Sequence, residues 1–180
     1  MAIHPHKRAM FSINVLGGIA VLGSYAYGLS SHPSTGGELW GDVPEALRPF
    51  YVAWMSVAAT SYFLFTTYLL FRADPHAARV ARRFDLRVFN LLYAAILVPS
   101  ALWMPLTFEM LANPSRGLWL AIRLVLWAVG LGSLAFIAAL LSLRPRRPAR
   151  AYWLAVAGSV AFTVQTGLLD ALVWVACFPA

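Results

Sequence analysis

Charged residues are scarce in this chain of 180 residues. They make up 12% of it, about half of the share that a soluble domain usually carries. Hydrophobic residues make up 61%, so there is too little polar surface to cover a soluble globule. Stretches of roughly 20 apolar residues have the length of a bilayer crossing. The composition therefore excludes a soluble globular fold and predicts a membrane domain.

Cysteine and histidine are also sparse, and their positions limit the chemistry. Cys177 is the single cysteine, which excludes an internal disulfide and a paired-cysteine redox site. The histidines, which lie outside the apolar stretches, are His4, His6, His32 and His76. A transmembrane haem of the b type, held by axial histidines, is therefore not expected. The sequence also lacks a phosphate-binding glycine loop, an HExxH motif and a nucleophile elbow, so we expect no catalytic residue, metal site or obligatory cofactor.

Five apolar stretches are long enough to cross a bilayer. They are predicted at residues 9–29, 48–71, 88–111, 117–142 and 151–178. Together they occupy most of the chain, which leaves no room for a second domain. The sequence therefore predicts one all-α membrane domain over residues 1–180, a bundle of five transmembrane helices.

Basic residues lie at alternate ends of the predicted spans. Lys7 and Arg8 precede the first span, and arginines are frequent in 72–87 and 144–150 but rare in the other two connections. This placement argues against nucleic acid as a partner, despite a formal net charge of +7. The positive-inside rule predicts a cytoplasmic N-terminus and an external C-terminus in a multi-pass protein of the cytoplasmic or inner membrane.

Three ionisable residues fall within or at the ends of the apolar stretches: Glu109, Arg123 and Asp170. The predicted topology places all three in the outer half of the bilayer. Charges in this region usually pair with each other or line a wet cavity. We expect Arg123 to form an ion pair with Glu109 or Asp170. These three residues would then either stabilise the bundle or bind a ligand or a proton.

Seven tryptophans are present, and three of them lie deep in the predicted spans: Trp54, Trp103 and Trp127. An indole N–H has no partner in lipid, so these three are expected to face the bundle interior. There they would either pack or line a pocket for a flat apolar ligand. Trp40 lies in the long polar loop 30–47, either as a membrane-interface residue or as a lid over a cavity.

Span 3 carries the most distinctive motif. Tyr93 is followed by the sequence LWMP at 102–105 and then by Phe108 and Met110. Span 2 begins with the aromatic stretch PFYVAW at 49–54, and span 5 contains TGL at 166–168. These features resemble the TspO/MBR family, the tryptophan-rich sensory proteins that include the mitochondrial translocator protein.

The sequence also departs from that family. The Trp-x-Pro-Pro-x-Trp-Val-Phe signature before helix 2 is absent, and Met104 replaces the threonine of the Trp-Thr-Pro triplet. Ser100 stands where an asparagine is usual, and Ala161, next to Phe162, stands at the position of the pocket tryptophan in helix 5.

The resemblance implies a five-helix protein, a monomer or a dimer, whose pocket opens under the first loop. Porphyrins, other tetrapyrroles and sterols are the ligands that it implies, with a haem-type molecule among them. For this chain we predict a pocket lined by Trp40, Tyr51, Trp54, Trp103, Pro105, Phe108, Phe162 and Gln165.

Two other functions fit the same sequence. The protein would be a non-catalytic accessory subunit of a larger membrane complex if its aromatic side chains face outwards. It would be a small carrier if Glu109, Arg123 and Asp170 form a path for a proton or a substrate. The expected partners are the lipid bilayer and a hydrophobic small molecule, together with either a second copy of the chain or a larger membrane complex.

Overall fold

The computed structural model describes residues 4–32 and 37–178. Its five long helices are α1 (Pro5–Ser31), α2 (Arg48–Thr67, continued by a π-helical turn over Tyr68–Arg72), α3 (Arg87–Ala112), α4 (Arg116–Ser142) and α5 (Ala149–Cys177). All five are long and apolar enough to cross a membrane, which confirms the predicted number of helices and, within a few residues, their bounds. Two short 3₁₀ turns, Glu38–Trp40 and Glu45–Leu47, lie in the first loop.

The helices begin and end where local chemistry favours it. Pro5 occupies the first turn of α1, where the missing backbone N–H has no helical partner in any case. The hydroxyl of Ser115 caps α4 by accepting a hydrogen bond from the backbone N–H of Leu118, at 3.2 Å. Pro99 and Pro105 lie inside α3, where each removes one backbone donor.

Helix α3 packs against both α1 and α4, while α5 packs against α2 and α4. The backbones of α4 and α5 come very close at two glycines. A Cβ atom on Gly130 would lie 3.1 Å from the Cα atom of Gly167, closer than ordinary contact distance. Small residues at such crossings allow the close packing on which helix association in lipid depends.

Large side chains fill two regions of the interior. The first, near the N-terminal end of α1, is built on aromatic rings that include Phe65, Phe89, Tyr93 and Phe136. The second lies near the first loop and includes Tyr51, Ile122 and Trp174. On the outside, every long helix exposes large apolar side chains, such as Leu22, Phe63, Leu91, Leu131 and Leu154. Such a surface suits lipid rather than water.

The two ends of the bundle differ in their connections. At one end, β1 (Arg79–Val80) pairs antiparallel with β2 (Leu143–Arg144), so the two basic connections meet. His6, in the first turn of α1, lies at the same end, with its Nε2 atom 3.5 Å from a carboxylate oxygen of Asp85. At the other end, the backbone N–H of Asp42 donates to the carbonyl of Cys177 at 2.7 Å. The two ends of the described chain therefore lie at opposite ends of the bundle, as the predicted five crossings require.

Candidate functional site

A cavity lies between the helices beneath the first loop. Its inner lobe, of about 300 Å³, extends towards Ser100, Phe162 and Gln165. Its outer lobe, of about 230 Å³, extends to Leu39 and Trp40 in the loop. The residues common to both lobes are Tyr25, Met55, Trp103 and Asp170, so the lobes adjoin. The inner lobe is at the lower end of the range for small-molecule sites, roughly 300–1,000 Å³, and the outer lobe alone is below that range.

Aromatic residues are five of the ten residues that line the outer lobe. The ring of Trp103 lies 5.5 Å from that of Trp174 and 5.7 Å from that of Tyr25, centroid to centroid. The ring of Trp40 meets that of Tyr51 edge to face at 5.9 Å. Trp103 therefore points into the bundle, the orientation expected for a tryptophan deep in span 3.

Two of these aromatic side chains are fixed by hydrogen bonds from their polar ends. The Tyr51 hydroxyl donates to the carbonyl of Leu169 in α5 at 2.7 Å. The indole N–H of Trp174 donates to the carbonyl of Leu39 in the first loop at 2.8 Å. Because these bonds join α2, α5 and the loop, they hold the loop over the outer lobe, with Trp40 beside the cavity.

Other polar atoms at the cavity remain unpaired. The buried indole N–H of Trp103 and the buried side-chain oxygen of Gln165 have no hydrogen-bond partner within residues 4–32 and 37–178. The amide nitrogen of Gln165 donates to a carboxylate oxygen of Asp170 at 2.7 Å. A largely apolar pocket with a few convergent polar groups is the usual form of a small-molecule site.

A π-helical segment of α5, Val164–Trp174, brings Gln165 and Asp170 together. Side chains that meet on an α-helix are three or four positions apart, whereas these two are five apart. The wider π geometry, with its i→i+5 hydrogen bonds, allows this contact, and such segments are frequent at functional sites. A hydrogen bond of 2.9 Å from the Thr166 hydroxyl to that of Ser133 fixes the segment on α4.

The structure brings together five of the eight predicted pocket residues: Trp40, Tyr51, Trp103, Phe162 and Gln165 line the cavity. Trp54 does not, because its indole N–H donates to the carbonyl of Ala161 at 3.2 Å and its ring stacks on Phe50.

The other two predicted pocket residues, Pro105 and Phe108, lie on a different face of α3. They line a separate groove of about 270 Å³ beside α1, together with Gly28 and Glu109. On an α-helix, residues three or four positions apart share a face. Pro105 and Phe108 lie two and five positions after Trp103, so they face a different side of α3 from Trp103.

The predicted ion pair of Arg123 is wrong. The described part of the chain contains three ion pairs, and none of them involves Arg123, Glu109 or Asp170. The guanidinium of Arg123 instead lies over the ring of Trp127, 4.9 Å from its centroid, in a cation–π contact. Glu109 is exposed and accepts a hydrogen bond from the side-chain amide of Asn113 at 2.9 Å. Only Asp170 of the three reaches the cavity.

Trp127 also differs from the prediction, since 39% of its surface is exposed on the outside of α4. The expectation of an inward orientation rested on the need of the indole N–H for a partner. The carbonyl of Ala171, 3.1 Å from that nitrogen, supplies one on the neighbouring helix. A tryptophan at a helix–helix boundary can therefore face outwards with its N–H satisfied.

Sequence reasoning missed several residues that line the cavity, among them Tyr25, Met55 and Trp174. Tyr25 lies four residues after Val21 and four before Leu29, and all three line the cavity. This i, i+4 spacing marks one face of α1, but nothing in the sequence shows which neighbour that face meets. Trp174 lies near the end of its span, where the sequence predicted a membrane-interface residue rather than a pocket residue.

No family model, curated protein or solved structure matches the chain.

Proposed function

We propose that the protein is a multi-pass membrane protein that binds a flat hydrophobic ligand, tetrapyrrole-like or sterol-like, in the cavity beneath the first loop. One observation carries the proposal: the cavity is lined by aromatic side chains from five separate parts of the fold. They are Tyr25 of α1, Trp40 of the loop, Tyr51 of α2, Trp103 of α3 and Trp174 of α5. Aromatic and apolar walls with a few polar groups are typical of sites that enclose a small molecule.

The resemblance to the TspO/MBR family supports the same proposal. That family combines five helices with a pocket beneath a long first loop, the arrangement described above. Met104, which replaces the family's threonine, is buried at 2% exposure beside Trp103 and lines the outer lobe. The change makes this wall more apolar, which favours a hydrophobic ligand.

The proposed orientation places the N-terminus in the cytoplasm. The N-terminal residues and the two basic connections lie at one end of the bundle, and the positive-inside rule assigns that end to the cytoplasmic side. The cavity then lies in the outer half of the membrane, under an external loop. We expect the cytoplasmic or inner membrane as the location.

The rival functions receive less support. An accessory subunit was expected to turn its aromatic side chains outwards. Phe63, Phe71 and Trp153 do face outwards, but the aromatic side chains that line the cavity, such as Tyr51 and Trp103, turn inwards. A carrier was expected to connect Glu109, Arg123 and Asp170, which lie in three different surroundings. The aromatic cavity therefore favours ligand binding over the two rival functions.

Titration of the full-length protein in detergent micelles tests the proposed function. Protoporphyrin IX and the fluorescent sterol dehydroergosterol are the two probes, and tryptophan fluorescence is the signal. We expect saturable quenching at micromolar concentration with at least one probe. We also expect Trp103→Phe to reduce the quenching, because its indole lines both lobes.

Trp153→Phe is the matched control. Trp153 is 53% exposed near the start of α5 and lines neither lobe of the cavity, so its replacement is expected to leave the saturable quenching unchanged. Linear, non-saturating quenching by both probes would contradict the proposed function. So would equal saturable quenching in the wild type and the Trp103→Phe variant.

A further inference from the structure

Asp170 is the only acidic side chain that lines either described lobe, and no lysine, arginine or histidine lines them with it. Its single hydrogen bond in the described chain comes from the neutral amide of Gln165. A carboxylate in a low-dielectric interior is costly unless a positive charge or several donors compensate it. Arg123, the basic residue expected to do so, lies over Trp127 instead.

The aromatic rings around Asp170 offer a second attraction for positive charge. The polar ends of Tyr51 and Trp174 are bonded to backbone carbonyls, so these residues contribute ring surface to the outer lobe. The negative faces of aromatic rings attract cations, and aromatic cages are a known device for quaternary ammonium groups. Trp40, Trp103 and Tyr25 add three more rings to the same lobe.

From this combination we infer that the ligand is a lipophilic cation: a flat apolar body with a quaternary ammonium or protonated amine head. The head lies in the outer lobe, between the Asp170 carboxylate and the rings of Trp40, Tyr51 and Trp103. The apolar body extends into the inner lobe, towards Phe162. This inference rests on the proposed function, because it concerns the same cavity, and it narrows the ligand class by charge.

The inference also predicts an order of affinity among ligands that the proposed function does not distinguish. A molecule whose polar groups are carboxylates would bring negative charge next to Asp170, which disfavours binding. A neutral molecule with one hydroxyl would accept a hydrogen bond from Trp103 or donate one to Asp170, but it would leave the carboxylate without a counter-charge. A cation neutralises the carboxylate and also makes cation–π contacts with the ring faces.

Three probes that share an apolar body separate these cases. They are benzyltrimethylammonium, its uncharged carbon analogue neopentylbenzene, and phenylacetate. Each is titrated into the full-length protein in uncharged detergent micelles, with tryptophan fluorescence as the signal. We expect benzyltrimethylammonium to bind at least about tenfold more tightly than neopentylbenzene, and phenylacetate to bind most weakly.

Asp170→Asn removes the charge and keeps the shape of the side chain. We expect this variant to lose about tenfold or more in affinity for benzyltrimethylammonium and to bind neopentylbenzene as the wild type does. Glu109→Gln is the matched control, because Glu109 is exposed and lies outside the cavity. It is expected to leave all three affinities unchanged.

The outcomes distinguish the two proposals. If neopentylbenzene binds the wild type as tightly as benzyltrimethylammonium, the inferred charge preference is wrong while a hydrophobic site remains. If none of these three probes binds but protoporphyrin IX or dehydroergosterol shows saturable binding, the inferred preference for a cation is wrong and the proposed function stands. If no probe of either set binds, both proposals fail. The comparison of cation and analogue uses the wild type, so it remains decisive even where Asp170→Asn does not fold.

Discussion

At the scale of single residues, hydrogen bonds from aromatic side chains to backbone carbonyls recur throughout the bundle. Tyr51 bonds to Leu169, Trp54 to Ala161, Trp127 to Ala171 and Trp174 to Leu39. Three of the four acceptors lie in α5, whose π-helical segment begins at Val164. Each bond satisfies an N–H or O–H that lipid cannot satisfy, and each joins two parts of the fold.

Tyr51→Phe tests how much one such bond contributes. The Tyr51 side chain is buried, and its replacement removes the hydrogen bond to the Leu169 carbonyl. We expect the free energy of unfolding to fall by about 0.5–1.5 kcal/mol, the usual net contribution of one hydrogen bond. Thermal unfolding in detergent, followed by circular dichroism, measures the change.

Tyr27→Phe is the control for that experiment. The Tyr27 side chain is 71% exposed on α1, so its replacement should leave the melting temperature unchanged. Equal melting temperatures for Tyr51→Phe and Tyr27→Phe would show that the buried hydrogen bond does not stabilise the fold.

At the scale of elements, α2 and α5 pack closely through a glycine. A Cβ atom on Gly158 would lie 2.9 Å from the backbone oxygen of Ser61 and 3.2 Å from the Cβ atom of Leu64. The nearest atom belongs to the backbone of a neighbouring helix, so it cannot move aside by rotating a side chain. The separation of α2 and α5 therefore depends on the absence of a side chain at position 158.

Gly158→Ala is expected to destabilise the protein by about 1–3 kcal/mol, the usual cost of overpacking a tight interface. Gly23→Ala is the matched control, because a Cβ atom there meets nothing within 4 Å. Alanine favours a helix over glycine by about 1 kcal/mol, so this control should be neutral or stabilising. Chemical or thermal unfolding in detergent compares the two variants. A Gly158→Ala variant as stable as Gly23→Ala would contradict the close approach of the helices.

The elements were largely predictable from the sequence, whereas the site was only partly so. Hydropathy and length predicted five helices because each span must satisfy its own backbone hydrogen bonds in lipid. They did not predict the pairing of Arg79 with Arg144 in the two short strands, because nothing local in either connection indicates the other.

The cavity depends on the rotation of each helix about its own axis, which hydropathy constrains weakly when lipid and core are both apolar. Trp103 was predicted correctly to point inwards. Arg123 was expected to pair with a carboxylate, but its guanidinium lies over the ring of Trp127, one turn along the same helix. Its buried Nε has no hydrogen-bond partner in the described part of the chain. The contact between Gln165 and Asp170 required the π-helical geometry of α5, which the sequence did not indicate.

At the scale of the whole molecule, the two ends of the bundle differ in charge and in their connections. One end gathers the basic connections, which fits contact with anionic lipid head groups. The other end carries the first loop, which is held to α5 by the bonds from Trp174 to Leu39 and from Asp42 to Cys177. The cavity lies beneath this loop, so access to it depends on the loop or on gaps between the helices.

If this cavity binds a hydrophobic ligand, a larger side chain that fills the cavity must weaken binding, and this is the most direct test. Ser100 is half-buried on the inner lobe, whereas Ala138 is exposed on α4, outside the cavity. Saturable tryptophan quenching, by whichever of protoporphyrin IX and dehydroergosterol binds the wild type, is measured for Ser100→Phe, for Ala138→Phe and for the wild type, all checked for equal helical content. The account predicts that Ser100→Phe binds at least about tenfold more weakly while Ala138→Phe binds as the wild type does. Equal saturable binding in all three proteins would contradict it.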